Sequence, residues 1–174
     1  MHHPLPIMGT QNVEIEIRCS VDTQVLGVLR NFCACTAREA GFNEEQVDQI
    51  EMAVDEAAAN VIRHAYKHLG VSPDLPEEIR TTDAEVLSAC KLIMRITLTE
   101  ECLRICIIDN GRGINAGSAK VSSMEEFFRR GGHGGLGTYI IRHFMDEVEY
   151  GAAEPEGTML TMTKYLDSSS KFLT

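Results

Sequence analysis

The chain has 174 residues, of which 44% are hydrophobic and 24% are charged, as in a globular protein with one substantial core. Its 26 acidic and 16 basic side chains give a net charge of −10, which argues against general binding to nucleic acid or anionic membranes, because both require a basic surface. A local pocket for an anionic ligand stays compatible with this charge.

The N-terminal third of the chain predicts one strand and one helix. Residues 1–12 lack the basic and apolar regions of a secretory signal, and we expect a flexible segment there. "VEIEIRC" (13–19) alternates apolar and polar residues, which predicts a half-buried strand. A helix is predicted over 23–39, and Gly41 is expected to end it.

A second helix is predicted to begin at "NEEQ" (43–46). Asn43 is a candidate N-cap and Gln46, three residues later, completes a capping-box pattern. Apolar residues continue with helical spacing, so we expect this helix to run through Ala65.

This helix contains "DEAAANVIRHAY", which combines an apolar composition with a polar stripe. Glu56, Asn60 and His64 recur at intervals of four and therefore share one face. One interpretation is an exposed stripe stabilised by contacts between Glu56 and Asn60. The other is a carboxylate and an amide oxygen facing a Mg²⁺–phosphate site, since magnesium prefers oxygen ligands and a carboxylate can accept a hydroxyl proton.

The middle of the chain predicts a loop and then a hairpin. Residues 67–90 contain glycine and prolines that interrupt any periodic pattern, with room for a short helix in 77–91. Residues 91–111 predict two strands joined near 99–101, as an antiparallel hairpin.

The hairpin ends in "DNGRGI" (109–114). Asn-Gly and Arg-Gly indicate a turn, and a turn alone is one interpretation. In the other, Asp109 accepts a hydrogen bond from a base amine, while Gly111 and Gly113 let the backbone approach a flat ring.

"GGHGGLG" (131–137) has five glycines in seven residues, directly before a predicted helix that begins at 136. A plain linker and a phosphate-binding loop at a helix N-terminus both fit this pattern. The helix passes into a strand by 150, a last strand is predicted over 157–166, and the tail 167–174 is expected to fray.

The six cysteines include no C-x-x-C pair, which disfavours a zinc site. Cys102 and Cys106 lie in strand-like apolar sequence and are expected to be small buried hydrophobic residues. No stretch approaches 18 uninterrupted apolar residues, and we expect a cytoplasmic protein.

Taken in this order, the motifs resemble the GHKL ATP-binding family. Within it, they are most similar to the bacterial anti-sigma-factor serine/threonine kinases, whose helix segment E-A-x-x-N-x-x-x-H-A-Y is matched by "EAAANVIRHAY" (56–66). "DNGRGI" matches the second motif, "GGLGTYIIRHFMDEVEY" the third and "GT" at 157–158 the last, so the resemblance covers about residues 13–166.

The resemblance implies a Bergerat-type ATP-binding fold. This is a two-layer α/β sandwich, with helices packed on one face of a mixed, mostly antiparallel sheet. It would form a single domain over 13–166, with 67–90 as a candidate insertion and 112–134 as the ATP lid.

The resemblance also implies the site residues for ATP and Mg²⁺. Glu56 would be the general base and Asn60 a Mg²⁺ ligand, while for His64 a structural hydrogen bond is favoured over catalysis. The other cofactor-binding positions would be Asp109 at the adenine amine, Gly111 and Gly113 in the base pocket, Gly135 and Gly137 in the lid, and Thr158 at the adenine end.

The implied function is that of an ATP-dependent serine/threonine protein kinase. It would phosphorylate a STAS-type anti-anti-sigma protein and sequester a sigma factor, with no direct contact to nucleic acid or membrane, and the resembled family commonly dimerises. We expect a stand-alone regulator, because 174 residues leave no room for a phospho-acceptor hairpin or a transducer domain.

This chain departs from the family pattern in two places. Family members often have an arginine where this chain has His133, two residues before the last G-x-G of the lid, so either Arg129 or Arg130 would substitute or phosphoryl transfer would be weak. The segment 67–90 is also longer than usual, as a partner-specific insertion or a tolerated surface loop would be. The replaced arginine keeps an alternative open, a non-catalytic ATP-binding module that sequesters a regulatory protein by partner switching.

Overall fold

A five-stranded sheet forms one layer of the protein in the computed structural model, which describes residues 12–112 and 135–167. The strand order is β1-β2-β3-β5-β4, and all four neighbouring pairs are antiparallel. The strands are β1 (Val13–Cys19), β2 (Leu92–Leu98), β3 (Cys102–Asp109), β4 (Glu147–Ala152) and β5 (Thr158–Tyr165).

Helices form the second layer. The α-helices in the described part of the chain are α1 (Val25–Glu39), α2 (Glu44–Asn60), α3 (Ala84–Ala89) and α4 (Leu136–Phe144). A single π-helical turn, Val61–Ala65, continues α2 directly, and short 3₁₀ turns lie at Lys67–Leu69 and Glu77–Ile79.

The core lies between these layers and follows from the two-residue period of the strands. Every second residue of the central strands packs against the buried faces of α1, α2 and α4, and these residues are Leu92, Met94, Ile96, Leu98, Leu103, Ile105, Ile107, Leu160 and Met162. The other face of the sheet carries polar pairs such as Arg95 and Glu16, 2.7 Å apart. The two-layer α/β sandwich predicted from the sequence is confirmed.

The first helix begins two residues later than predicted. Asp22 accepts hydrogen bonds from the N–H groups of Gln24, at 2.8 Å to its carboxylate, and Val25, at 3.2 Å to its carbonyl. These bonds make a turn of residues 22–25, so α1 starts at Val25 instead of Thr23. Gly41, with φ 93°, follows the helix as predicted.

The second helix begins as predicted but changes type before it ends. The Asn43 side chain accepts the Gln46 N–H at 2.9 Å, and the Gln46 side chain accepts the Asn43 N–H at 3.3 Å, which completes the capping box. The expected α-helix through Ala65 is wrong in its last turn, because regular α-helix ends at Asn60 and the π turn follows. Such turns change the direction of the side chains beyond them and are frequent at functional sites.

The predicted hairpin is confirmed as β2 and β3, and the short helix as α3. The candidate insertion 67–90 is held by hydrogen bonds: Thr81 N–H donates to the Gly70 carbonyl at 3.0 Å, and buried Ser72 donates to the Arg63 carbonyl at 2.8 Å. The segment therefore folds back onto the end of the π turn.

Cys102 and Cys106 are buried as predicted, and all six cysteines are free. Within residues 12–112 and 135–167, no helix has both the length and the apolar character needed to cross a bilayer. The segment expected to be flexible, 1–12, and the tail 167–174 lie outside the described residues except for Asn12 and Asp167.

The capping box generates a stability prediction. Asn43→Ala removes the acceptor for the Gln46 N–H, so we expect the free energy of unfolding to fall by about 1 kcal/mol in urea denaturation followed by circular dichroism. Asn31→Ala, at an exposed position within α1, is the control and is expected to cause no loss, because alanine is the better helix former. Equal losses in the two variants would contradict the capping role.

Candidate functional site

The polar stripe of α2 faces the start of α4. A Cβ atom at Gly137 would lie 2.5 Å from Glu56 Oε2 and 3.5 Å from Asn60 Nδ2, so glycine permits this contact. Glu56 and Asn60 are both half-buried. The first turn of α4 has N–H groups without intrahelical partners and the positive end of the helix dipole, which favours an anionic group beside the stripe.

A buried carboxylate lies at the end of β3. Asp109 is 3% exposed and pairs in register with Thr158 on β5. Its Oδ1 accepts the Gly111 N–H at 2.9 Å, and Thr158 also donates hydrogen bonds to the carboxylate from its N–H and its hydroxyl. Burial raises the pKa of the Asp109 carboxyl, and the hydrogen bonds from Gly111 and Thr158 offset part of that rise.

The backbone is packed closely around this carboxylate. A Cβ at Gly111 would lie 2.5 Å from the Ala65 carbonyl oxygen, and the Arg112 N–H donates to the same oxygen at 3.1 Å. Gly157 has φ 121°, and a Cβ there would lie 1.9 Å from the Asp109 carbonyl oxygen. The turn after β3 is thus held between the π turn and the loop before β5.

Helix α2 and its π turn connect the two ends of the site. Glu56 contacts the start of α4, and Ala65 contacts the turn after β3. The rise per residue of an α-helix places these two residues roughly 13 Å apart along the helix axis. The two ends offer a half-buried carboxylate beside a helix N-terminus and a buried carboxylate beside close-packed backbone. Together they suit an elongated ligand with an anionic end and a flat, amine-bearing end.

Helix α4 is held in place from β4. Tyr150 forms a side-chain hydrogen bond with Thr138, one residue after Gly137, and burial raises the pKa of Tyr150. The Arg142 guanidinium lies 5.7 Å from the centre of the Tyr150 ring. Gly135, with φ 87°, precedes the first residue of α4.

A tyrosine that we did not predict as a site residue organises the turn after β3. Tyr66 is 1% exposed, and its Oη lies 2.6 Å from the Lys91 carbonyl oxygen and 2.6 Å from Asn110 Oδ1. Desolvation raises its pKa to about 12, so the hydroxyl keeps its proton at neutral pH.

Of the remaining predicted site residues, the structure describes His64. His64 is exposed, and its ring has no hydrogen-bond partner among residues 12–112 and 135–167. Gly113, Arg129, Arg130 and His133 lie outside the described residues, as does the predicted lid 112–134 except for Arg112.

The donor set fits Mg²⁺ bound together with phosphates. Over the described residues, no group of three or more His, Cys, Asp or Glu side chains could hold a metal ion. Asn60 would supply one amide oxygen, and Mg²⁺ characteristically takes most of its remaining oxygens from phosphates and water.

With this geometry established, comparison with known proteins decides the family. A family described as "Histidine kinase-like ATPase domain" matches residues 19–164. The chain belongs to the histidine kinase-like ATPase domain family. The match includes both ends of the site described above.

Similar individual proteins have a narrower description. The chain is 25% identical to the serine-protein kinase RsbW of Bacillus mycoides over 157 residues, 88% of this chain and 85% of the relative. It is 26% identical to the RsbW of Halalkalibacterium halodurans over 163 residues, 87% and 83% of the two chains. It is 27% identical to the RsbW of Bacillus pumilus over 157 residues, 88% and 86%.

Sequence reasoning assigned no individual role to three residues of the candidate site. Gly157 directly precedes Thr158, which was predicted as a site residue, but the contact of Gly157 with Asp109 depends on the register of β3 and β5. Tyr66 and Asn110 lay inside quoted motifs, and only the fold brings them together. The sequence feature that could have indicated a structural role for Tyr66 is its position directly after an apolar helix.

The close packing at Gly157 generates a second prediction. Gly157→Ala places a Cβ against the Asp109 carbonyl and strains φ, so we expect a loss of roughly 3 kcal/mol in the free energy of unfolding. Gly151→Ala, in β4, is the matched control, because the nearest atom to its Cβ is 3.5 Å away. Thermal unfolding of both variants checks this, and a Gly157→Ala protein as stable as Gly151→Ala would contradict the contact.

Proposed function

We propose that this protein is an ATP-dependent serine/threonine protein kinase of the anti-sigma-factor type. The observation that carries the proposal is the closeness of the Glu56 carboxylate to Gly137 in the first turn of α4. On this proposal, the terminal phosphate and the incoming hydroxyl meet beside that carboxylate. The name of the relatives, serine-protein kinase, supports the same reaction.

In this proposal, Glu56 accepts the proton of the substrate hydroxyl as that oxygen attacks the γ-phosphorus of ATP, the bond from this phosphorus to the β,γ-bridging oxygen breaks, and ADP leaves. Asn60 would supply an oxygen ligand to Mg²⁺, which when bound would neutralise charge on the phosphates. Gly135 and Gly137 allow the α4 end to approach the phosphates closely.

The other end of the site selects the base. Asp109 accepts a hydrogen bond from the adenine amine, Gly111 and Gly113 border the ring, and Thr158 holds the Asp109 carboxylate. Because Asp109 already accepts bonds from Gly111 and Thr158, its orientation is set before a base arrives.

The protein substrate in this proposal is a small STAS-type anti-anti-sigma protein, phosphorylated on serine or threonine. The unphosphorylated form would compete with a sigma factor for the kinase, so that phosphoryl transfer decides which partner is held. This assignment rests on the resemblance to anti-sigma-factor kinases and on the RsbW relatives.

A second candidate is a non-catalytic module that binds ATP and sequesters a regulatory protein. The observation that favours it is in the sequence, since His133 replaces the arginine that family members often have near the terminal phosphate. The two candidates differ in one outcome: only the kinase leaves phosphate on the partner.

The kinase proposal predicts a separation of binding from transfer in Glu56→Ala. We expect ATP affinity to stay within about threefold of wild type while transfer to a STAS-domain partner falls by at least about 100-fold, as for the loss of a general base. Intact mass of the partner after incubation with Mg-ATP measures transfer, and calorimetry measures affinity.

Two variants control this experiment. Asp55→Asn removes the adjacent carboxylate, which lies 3.6 Å from Arg30 on α1, and is expected to leave transfer unchanged. Asn60→Ala is expected to weaken Mg-ATP binding itself. Equal transfer by wild type and Glu56→Ala would remove Glu56 from the mechanism, and an ATP-dependent complex without phosphate would favour the non-catalytic module.

The assignment of Asp109 to the base predicts that Asp109→Asn weakens ATP binding without lowering stability. Asp109→Asn is expected to weaken ATP binding at least tenfold, since the amide no longer matches the adenine amine. The free energy of unfolding at pH 7 is expected not to fall, because burial raises the pKa of this carboxyl and the charged form therefore costs stability.

The pH dependence of the free energy of unfolding tests whether the buried Asp109 charge lowers stability. The folded state holds the Asp109 proton more tightly than the unfolded state. The loss of stability caused by the charged carboxylate is therefore complete above the raised pKa, and it disappears as the pH falls toward the ordinary aspartate pKa of about 3.9. Any stability advantage of Asp109→Asn should shrink over that window in urea titrations. An unstable variant with unchanged ATP affinity would show a purely structural role.

A further inference from the structure

The Tyr66 hydroxyl is placed to control the turn that contains Asp109. It accepts the Asn110 backbone N–H at 2.9 Å, and its own proton points to Asn110 Oδ1 or to the Lys91 carbonyl, both 2.6 Å away. The ring is buried at the end of the π turn, and the hydroxyl therefore has little freedom to move.

The Asn110 side chain extends this network. Its Oδ1 accepts the Lys91 N–H at 2.9 Å, and its Nδ2 donates to the Ala89 carbonyl at 2.9 Å. Asn110 lies between Asp109 and Gly111, and both its backbone and its side chain are bonded to neighbouring segments. The peptide units on either side of it are therefore fixed relative to β2.

We propose that Tyr66 is a positioning residue for base recognition, acting through Asn110. The pair holds the turn so that the Asp109 carboxylate meets an exocyclic amine. The inference rests on the proposed function, because that proposal assigns Asp109 to the base. It adds that the choice of adenine over guanine depends on a hydroxyl that touches neither base nor phosphate.

A second buried hydroxyl provides a matched control. Ser72 is bonded to the same π turn, through the Arg63 carbonyl at 2.8 Å, but among the described contacts its hydroxyl reaches no residue of the turn after β3. Tyr66→Phe and Ser72→Ala each remove one buried hydroxyl beside the π turn. Both are expected to lower Tm, and only Tyr66→Phe is expected to change nucleotide recognition.

The first measurement is the Kd for ATP and for GTP of each full-length variant, by calorimetry. For Tyr66→Phe we expect the Kd for ATP to rise roughly tenfold and the preference for ATP over GTP to fall by a similar factor. Ser72→Ala is expected to keep both within about twofold of wild type. The same Kd change in both variants, or in neither, would overturn the inference.

A double-mutant cycle tests the path through Asn110. Asn110→Ala alters an exposed residue, so it provides a test even where Tyr66→Phe folds poorly. If the pair acts as a unit, the double variant binds ATP no more weakly than the weaker single variant. If the fold-increases in Kd of the two single variants multiply in the double variant, Tyr66 and Asn110 act independently and the proposed path is overturned.

Hydrogen exchange of the Gly111 amide separates this inference from the proposed function, since it requires no nucleotide. We expect exchange at Gly111 roughly tenfold faster in Tyr66→Phe than in Ser72→Ala, because its acceptor, the Asp109 carboxylate, loses its fixed position. Faster exchange in a protein that binds no ATP would refute the proposed function while supporting control of the turn by Tyr66. Unchanged exchange in a protein that binds ATP would refute the positioning role alone.

Discussion

The contact of one helix with two distant backbone segments is the constraint on which the rest of this structure depends. Helix α2 meets the start of α4 at Gly137, and its π turn meets the turn after β3 at Gly111. At both places a Cβ would lie 2.5 Å from an oxygen atom of α2 or its π turn, so the absence of a side chain allows the approach. The apolar side of the same helix is buried against the sheet. One element thus sets the distance between these two contacts and anchors both to the core.

The parts of this fold that could be predicted are those governed by local periodicity. Alternation located β1 and β5, helical spacing located α1 and α2, and the Asn43–Gln46 pair located the start of α2. The π turn could not be predicted, because its composition continues that of α2 and its last carbonyl is bonded by a residue 47 positions later, Arg112.

The site shows the same division between local pattern and tertiary contact. The stripe of Glu56 and Asn60 was visible as spacing, whereas its proximity to Gly137 depends on how α4 packs on α2. Asp109 was visible at a strand end, but its partner Thr158 is brought opposite by the register of β3 and β5. His64 shared the spacing of the stripe and nevertheless lies exposed beyond the start of the π turn. Residue type and spacing therefore indicated the chemistry, and the tertiary contacts determined which residues meet.

The buried carboxylate of Asp109 has a consequence for the lifetime of the protein in a cell. Burial leaves that charge desolvated, and among the described residues the Gly111 N–H and Thr158 donate the hydrogen bonds that compensate it. On the proposed function, each bound adenine adds a donor, and a ligand that binds the folded state alone lowers the population of unfolded chains. Proteases act on those chains, so degradation would slow when ATP is plentiful and accelerate when it is scarce. The abundance of the regulator would then follow the energy supply of the cell without any dedicated sensor.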